Sequence, residues 1–156
     1  MGKVESALDI IRKREVARVE EVQVAANLDE IRNRGAIDFN FFAGLCAPDI
    51  MRTVFPGFYL ALFNLITQGN DDPEDVLKFA LGLPRGFAKT TFLKIVVCWL
   101  IVYRMNDFFL IVCANESKAL AFIADVDILL SSPNMESVYG KWSAAKTIDN
   151  AKLKVA

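Results

Sequence analysis

Two apolar runs separated by a short polar break most constrain the fold of this chain. Residues 92–103 are apolar except for Lys94, and residues 108–114 form a second run in which no polar residue alternates. The first run predicts a buried helix over residues 89–103, and its twelve residues are too few to cross a bilayer. The second is typical of a strand buried on both faces. With a strand at 76–83 and a helix at 117–131, the order predicts the start of a parallel α/β sheet.

In the N-terminal third of the chain, the sequence predicts helices rather than strands. Residues 4–34 are rich in Glu, Lys, Arg, Ala and Leu and contain no proline, and Gly35 follows as a C-cap. A densely apolar helix is expected at 58–66. We therefore divide the chain into a helical N-terminal segment, residues 1–54, and the beginning of an α/β domain, residues 55–156.

Composition excludes several classes of chemistry. No histidine occurs in the 156 residues, so Ser-His-Asp and Cys-His hydrolases and histidine metal sites are ruled out. A hydrophobic content of 54% excludes wholesale disorder. The net charge of −1 gives no overall basic surface for nucleic acid. The three cysteines are odd in number, which favours reduced, buried thiols of a cytoplasmic protein over a disulfide framework.

Residues beyond 131 are mostly polar. Ser131, Ser132 and Pro133 are expected to stop the preceding helix, and residues 152–155 predict a short strand at the end of the chain.

The segment between the predicted strand at 76–83 and the next helix has the residues that a phosphate-binding loop requires. Such a loop needs inward-facing backbone amides, a helix N-terminus, a lysine for the β- and γ-oxygens and a hydroxyl for Mg²⁺. Gly86 allows close backbone approach, Lys89 supplies the amine and Thr90 supplies the metal ligand. We predict a loop that binds phosphate groups and Mg²⁺, made of Pro84, Arg85, Gly86, Phe87, Ala88, Lys89, Thr90 and Thr91.

The loop departs from the standard pattern G-x-x-x-x-G-K-[ST] at both glycines. Leu83 and Ala88 stand where that pattern has glycine. The strand predicted before it and the helix predicted after it favour phosphate binding. The alternative is an ordinary strand-to-helix turn with a solvated Lys89.

The run from Leu83 to Thr91 resembles the deviant Walker A loop of large terminase subunits, the DNA-packaging ATPases of tailed bacteriophages. That family commonly carries arginine at the position of Arg85 and relaxes the glycines. Residues 108–120 resemble the family's second strand and its turn into a helix, and residues 134–142 resemble the stretch leading to its next strand. The resemblance covers about residues 55–156 and is strongest at the loop.

The resemblance implies the N-terminal portion of an ASCE, RecA-like P-loop ATPase that drives double-stranded DNA into a procapsid. Lys89 and Arg85 would be the catalytic residues, with Arg85 at the γ-phosphate and Thr90 on Mg²⁺. Implied partners are DNA, the portal protein, the small terminase subunit and further copies in a homo-oligomeric ring, a pentamer. The expected location is the host cytoplasm, at the procapsid portal, without membrane contact.

Parts of such a motor have no counterpart in the sequence. Asp125 is the nearest candidate for a Walker B carboxylate, and we reject it because it lies in a predicted helix without a following glutamate. The C-terminal nuclease of the family is also missing, so we expect the N-terminal part of a longer protein that hydrolyses ATP poorly alone. Phe55, Phe58 or Tyr59 could flank an adenine, although core packing is the simpler interpretation of each.

Two alternatives to the terminase interpretation stay open. One is a fragment of a helicase or other RecA-like motor. The other is a non-enzymatic helical interaction module whose Lys89 loop is only a turn.

Overall fold

The computed structural model describes residues 23–68, 80–103, 109–142, 148–149 and 154–155. Its first helix, α1, occupies residues 23–37 of this part. The other elements follow in chain order: α2 Phe39–Cys46, α3 Gly57–Gln68, α4 Lys89–Val102, α5 Glu116–Leu130, α6 Pro133–Tyr139, β1 Ile148–Asp149 and β2 Lys154–Val155. Helix α4 packs against α2, α3 and α5, so it forms the centre of the assembly.

The junction between α1 and α2 corrects the prediction of a C-cap at Gly35. Helix α1 continues through residue 37, and Asp38 then caps α2 by accepting from the Phe41 amide at 3.0 Å. Gly35 is buried inside α1, where its carbonyl accepts from Trp99 Nε1 at 3.0 Å. The glycine is therefore a close-packing position, and tertiary contact rather than helix termination explains it.

Aromatic rings from four segments build the core around the first turns of α4. The Phe39 ring stacks on Phe63 with centroids 4.3 Å apart and meets Phe92 edge-on at 5.5 Å. Phe55 lies 5.5 Å from Phe92, and Tyr59 lies 4.4 Å from it. All five rings are buried. Each contributes on the order of 2–3 kcal/mol through burial, so this cluster anchors α2 and α3 to α4.

The predicted α/β parallel sheet is wrong, and the described fold is helical. Residues 80–83 form no strand, and residues 109–113 form none either. In the second segment Leu110 is 75% exposed and Val112 is 81% exposed, so the run is not buried on both faces. The strands found in the described residues are β1 and β2, which pair antiparallel, Ile148 opposite Val155. An apolar run becomes a strand only where neighbouring strands satisfy its backbone, and sequence periodicity does not report such neighbours.

Several predicted elements are confirmed. Helices expected at 58–66, 89–103 and 117–131 correspond to α3, α4 and α5, and the strand expected at 152–155 corresponds to β2. The sequence does not predict helix α6, since Pro133 indicates the end of the preceding helix. Proline is in fact favoured in the first turn of a helix, where it occurs here. Residues 4–22 of the helix predicted at 4–34 and residues 76–79 of the strand predicted at 76–83 lie outside the described residues. The division at residue 54 stays a prediction.

The three cysteines are free thiols in two different environments. Cys46 and Cys98 are buried in the core, whereas Cys113 is exposed, contrary to the expectation of burial. A hydrogen bond with Cys46, together with burial, raises the pKa of Cys98. No helix in the described part of the chain has the length and apolar character needed to cross a membrane.

Candidate phosphate-binding site

The loop before α4 has a backbone conformation that fits a tight approach to a ligand. Gly86 has a φ of +90°, and Ala88 has φ 54° and ψ 24°, in the left-handed region. Glycine adopts positive φ freely, whereas a residue with a Cβ loses on the order of 1–2 kcal/mol there. Ala88 thus takes the conformation that a glycine would take at this position. The alanine at position 88, where the phosphate-loop pattern has glycine, therefore does not prevent the left-handed conformation.

The N-terminus of α4 is open. Ala88 is its N-cap residue and makes no side-chain hydrogen bond to the first turn. The first amides of a helix have no partner within the helix, and the helix dipole adds partial positive charge at this end. Amides at Lys89, Thr90 and Thr91 therefore form the part of α4 best suited to an anion.

The side chain of Lys89 folds back over the loop. Its Nζ donates to the carbonyl of Leu83 and to that of Pro84, the latter at 2.7 Å. Among the described residues no carboxylate forms an ion pair with this amine. Neutral carbonyls satisfy its hydrogen bonds without neutralising its charge. The ammonium group can therefore exchange them for the oxygens of an anion at modest cost.

The remaining predicted loop residues are mostly at the surface. Pro84, Arg85, Phe87 and Thr90 are exposed, and Thr91 is half-buried. No acidic side chain in the described part of the chain pairs with Arg85. The structure thus leaves the Arg85 guanidinium and the Thr90 hydroxyl accessible on the solvent side of the loop.

A cavity of about 330 Å³ adjoins the loop. On one side it is lined by Gly86, Phe87, Ala88 and Thr91, and on the other by Ile50, Met51, Thr53, Val54, Phe55, Pro56 and Tyr59. The lining is mainly apolar, and its volume is in the range of small-molecule sites. Phe55 and Tyr59 thus border the cavity while packing in the core, whereas Phe58 does not line it.

A hydrogen bond ties the cavity wall to the loop. The Tyr59 hydroxyl donates to the carbonyl of Phe87. Burial raises the pKa of Tyr59, so the phenol keeps its proton as a donor throughout the neutral range. Sequence reasoning missed this contact. The aromatic run at 55–59 signals a packed segment, but a contact to a residue 28 positions later is not readable from it.

Asp125, the residue that we reject from sequence as a Walker B carboxylate, is engaged in an ion pair. It lies on α5 and forms an ion pair with Lys94 of α4. Within the described ranges no group of three or more Cys, Asp or Glu side chains is placed to hold a metal ion. The expected Mg²⁺ contact of Thr90 would need phosphate oxygens as its other ligands, and it stays a prediction.

Comparison of the chain with protein-family models, with curated proteins and with solved structures returns no match.

Proposed function

We propose that this chain binds ATP through the loop 84–91 and forms the nucleotide-binding part of a DNA-packaging motor of the large-terminase kind. The observation that carries the proposal is the position of Lys89. Its ammonium group lies over the loop on two backbone carbonyls, at the open N-terminus of α4. This places a fixed positive charge, unpaired helix amides and a positive-φ turn together, which is the chemistry that phosphate groups require.

The residues present fit a nucleoside triphosphate. Phosphate oxygens would accept from the first amides of α4 and from Lys89 Nζ, which would leave the carbonyls of Leu83 and Pro84. The exposed Thr90 hydroxyl is available to Mg²⁺, which when bound neutralises charge on the β- and γ-oxygens. The apolar cavity beside the loop suits a flat base.

Arg85 is proposed to contact the γ-phosphate. Its side chain is exposed and directly precedes Gly86, so the turn presents it to solvent beside the loop. No Asp or Glu lines the cavity in the described part of the chain, so nothing there orients a water for attack. We therefore expect ATP binding, with slow hydrolysis by this chain alone.

The partners follow from the resemblance to large terminases. Double-stranded DNA, the portal protein, the small terminase subunit and a homo-oligomeric ring are proposed on that basis. Procapsid-dependent packaging of DNA separates this motor from a helicase, because a helicase would not support it.

Substitution of Lys89 by alanine tests the nucleotide site. We expect the dissociation constant for ATP with Mg²⁺, measured by titration calorimetry, to rise about 10- to 100-fold, because charge-assisted hydrogen bonds are lost. Lys141→Ala is the matched control: Lys141 is exposed and follows α6, whose Tyr139 contacts Tyr103 beyond the far end of α4. Equal affinity of both variants for ATP would contradict the proposal.

An interaction module is the second candidate, and a specific surface favours it. Leu110 and Val112 are exposed on the segment before α5, which is neither helix nor strand, and Ile128 is 67% exposed on α5. Exposed apolar groups of this kind are common in interfaces. Wild-type protein that binds no ATP at millimolar concentration would favour this function over the motor.

A further inference from the structure

We propose that Tyr59 is the positioning residue of the loop, holding Ala88 in its left-handed conformation through the hydrogen bond to the Phe87 carbonyl. The inference rests on the proposed function, because it states what keeps the loop ready for a nucleotide. It assigns a role in ligand binding to a hydroxyl that the ligand does not need to touch.

The geometry of one peptide group carries the argument. The Phe87 carbonyl and the Ala88 amide belong to the same planar unit, whose orientation sets φ at Ala88. A hydrogen bond on that carbonyl therefore fixes the plane from one side. Rotation of the plane to give Ala88 a negative φ would turn the carbonyl away from Tyr59. The bond and the left-handed conformation thus depend on each other.

Tyr59 is itself held firmly enough to serve as the fixed point. It is 1% exposed, and its ring lies 5.3 Å from Phe55, 4.3 Å from Phe58 and 4.4 Å from Phe92. Phe92 belongs to the first turn of α4. The same ring therefore registers the loop carbonyl against the helix whose amides follow it.

This arrangement explains why the chain can do without glycine at position 88. A glycine needs no external support at positive φ, whereas alanine does. The Tyr59 hydroxyl supplies that support. The pairing of alanine in the loop with a buried tyrosine in α3 replaces a conformational property of glycine by a tertiary contact.

A double-mutant cycle separates positioning from simple packing. Tyr59→Phe removes the hydroxyl and keeps the ring, and we expect it to weaken ATP binding about two- to tenfold, the effect of one lost hydrogen bond. In the double variant Tyr59→Phe/Ala88→Gly the affinity should return to the wild-type value, because glycine adopts positive φ without the steric cost that alanine meets. Unchanged affinity of Tyr59→Phe, or a loss that Ala88→Gly does not restore, would overturn the inference. Tyr103→Phe is the matched control, since it removes a half-buried hydroxyl about 20 Å away along α4.

A measurement without nucleotide keeps this test independent of the proposed function. Backbone chemical shifts of labelled protein report the sign of φ at Ala88. We expect the left-handed signature in the wild type, its loss in Tyr59→Phe, and its presence at residue 88 of the Ala88→Gly double variant. Retention of the signature at Ala88 in Tyr59→Phe overturns the inference, whether or not ATP binds. Absent ATP binding with the expected shifts overturns only the nucleotide function.

Discussion

The two ends of helix α4 are built in opposite ways. At the C-terminal end the Trp99 indole donates to the Gly35 carbonyl, and the Tyr103 hydroxyl donates to the Arg32 carbonyl at 2.8 Å. Tyr103 also lies 2.7 Å from the Tyr139 hydroxyl. Because the single proton of Tyr103 goes to the carbonyl, Tyr139 is the donor in this tyrosine pair. Every one of these polar groups has a partner within the protein.

At the N-terminal end of α4, the described residues supply neither a capping side chain nor a carboxylate partner for Lys89. The cap residue, Ala88, offers no side-chain acceptor, and Lys89 rests on neutral carbonyls. The backbone of Ala88 is held in an unfavourable conformation. A satisfied end contributes to stability, whereas an open and constrained end is typical of a binding site. The length of α4 therefore separates a stabilising end from the end at which we propose binding.

The largest expected effect lies at the satisfied end. In Gly35→Ala the new Cβ would lie 2.6 Å from the Tyr139 hydroxyl and 2.7 Å from that of Tyr103. Overpacking and the loss of hydrogen bonds should lower the free energy of unfolding by about 2–4 kcal/mol, as measured by urea denaturation. Gly44→Ala in α2 is the control. Its Cβ meets no atom within 4 Å, and helix propensity should raise stability by about 0.5–1 kcal/mol. Equal stabilities would mean that the tyrosine pair yields freely.

Tyr103→Phe should have an intermediate effect, with a signature in alkaline solution. We expect a loss of about 1–2 kcal/mol at neutral pH, because the Arg32 carbonyl loses its donor. Burial raises the pKa of Tyr103 well above its ordinary value of 10.0. Unfolded tyrosines ionise above pH 10 while this one stays neutral, so stability is present below pH 10 and falls as the pH rises further.

Denaturation curves between pH 9 and 11 check this dependence. In Tyr103→Phe the decline above pH 10 should be shallower, by up to about 1.4 kcal/mol per pH unit. An unchanged slope would show that Tyr103 ionises equally in both states.

At the open N-terminal end of α4 we expect the smallest effect on folding stability, together with a clear loss of ATP affinity. Gly86→Ala places a side chain at a φ of +90°, so the turn should relax and ATP affinity should fall about tenfold. The loop is exposed, so global stability should change by less than about 1 kcal/mol. Gly82→Ala is the matched variant, because no positive φ and no close atom constrain it. A thermal melt and an ATP titration of both variants distinguish local from global effects.

The sequence predicted those features of the fold that depend on neighbouring residues. The apolar helices α3, α4 and α5 follow from length and composition, and Lys89 begins α4 as expected. The prediction of a parallel sheet was wrong because strand pairing depends on residues far apart in the chain. The C-cap predicted at Gly35 was wrong for the same reason, because the Gly35 carbonyl accepts a hydrogen bond from Trp99, 64 residues away.

In the candidate site, too, the features that depend on neighbouring residues could be predicted and those that depend on distant residues could not. The positions of Lys89, Thr90 and Gly86 could be read locally, since a phosphate-binding loop is continuous in sequence. The left-handed Ala88 could not, because the pattern at that position asks for glycine. The cavity and the Tyr59 contact could not either, since they join residues 50–59 to a loop that comes almost thirty positions later.

Because the three cysteines differ in exposure, the number of thiols that react with a reagent reports whether the protein is folded. Only Cys113 of the three thiols is exposed, directly before the segment that caps α5, while Cys46 and Cys98 are closed inside the aromatic core. Folded molecules should accept one thiol reagent per chain rapidly, and unfolding should release the other two. A label on Cys113 would also report from the N-terminal edge of α5, so one residue can serve both for counting folded molecules and for attaching a probe.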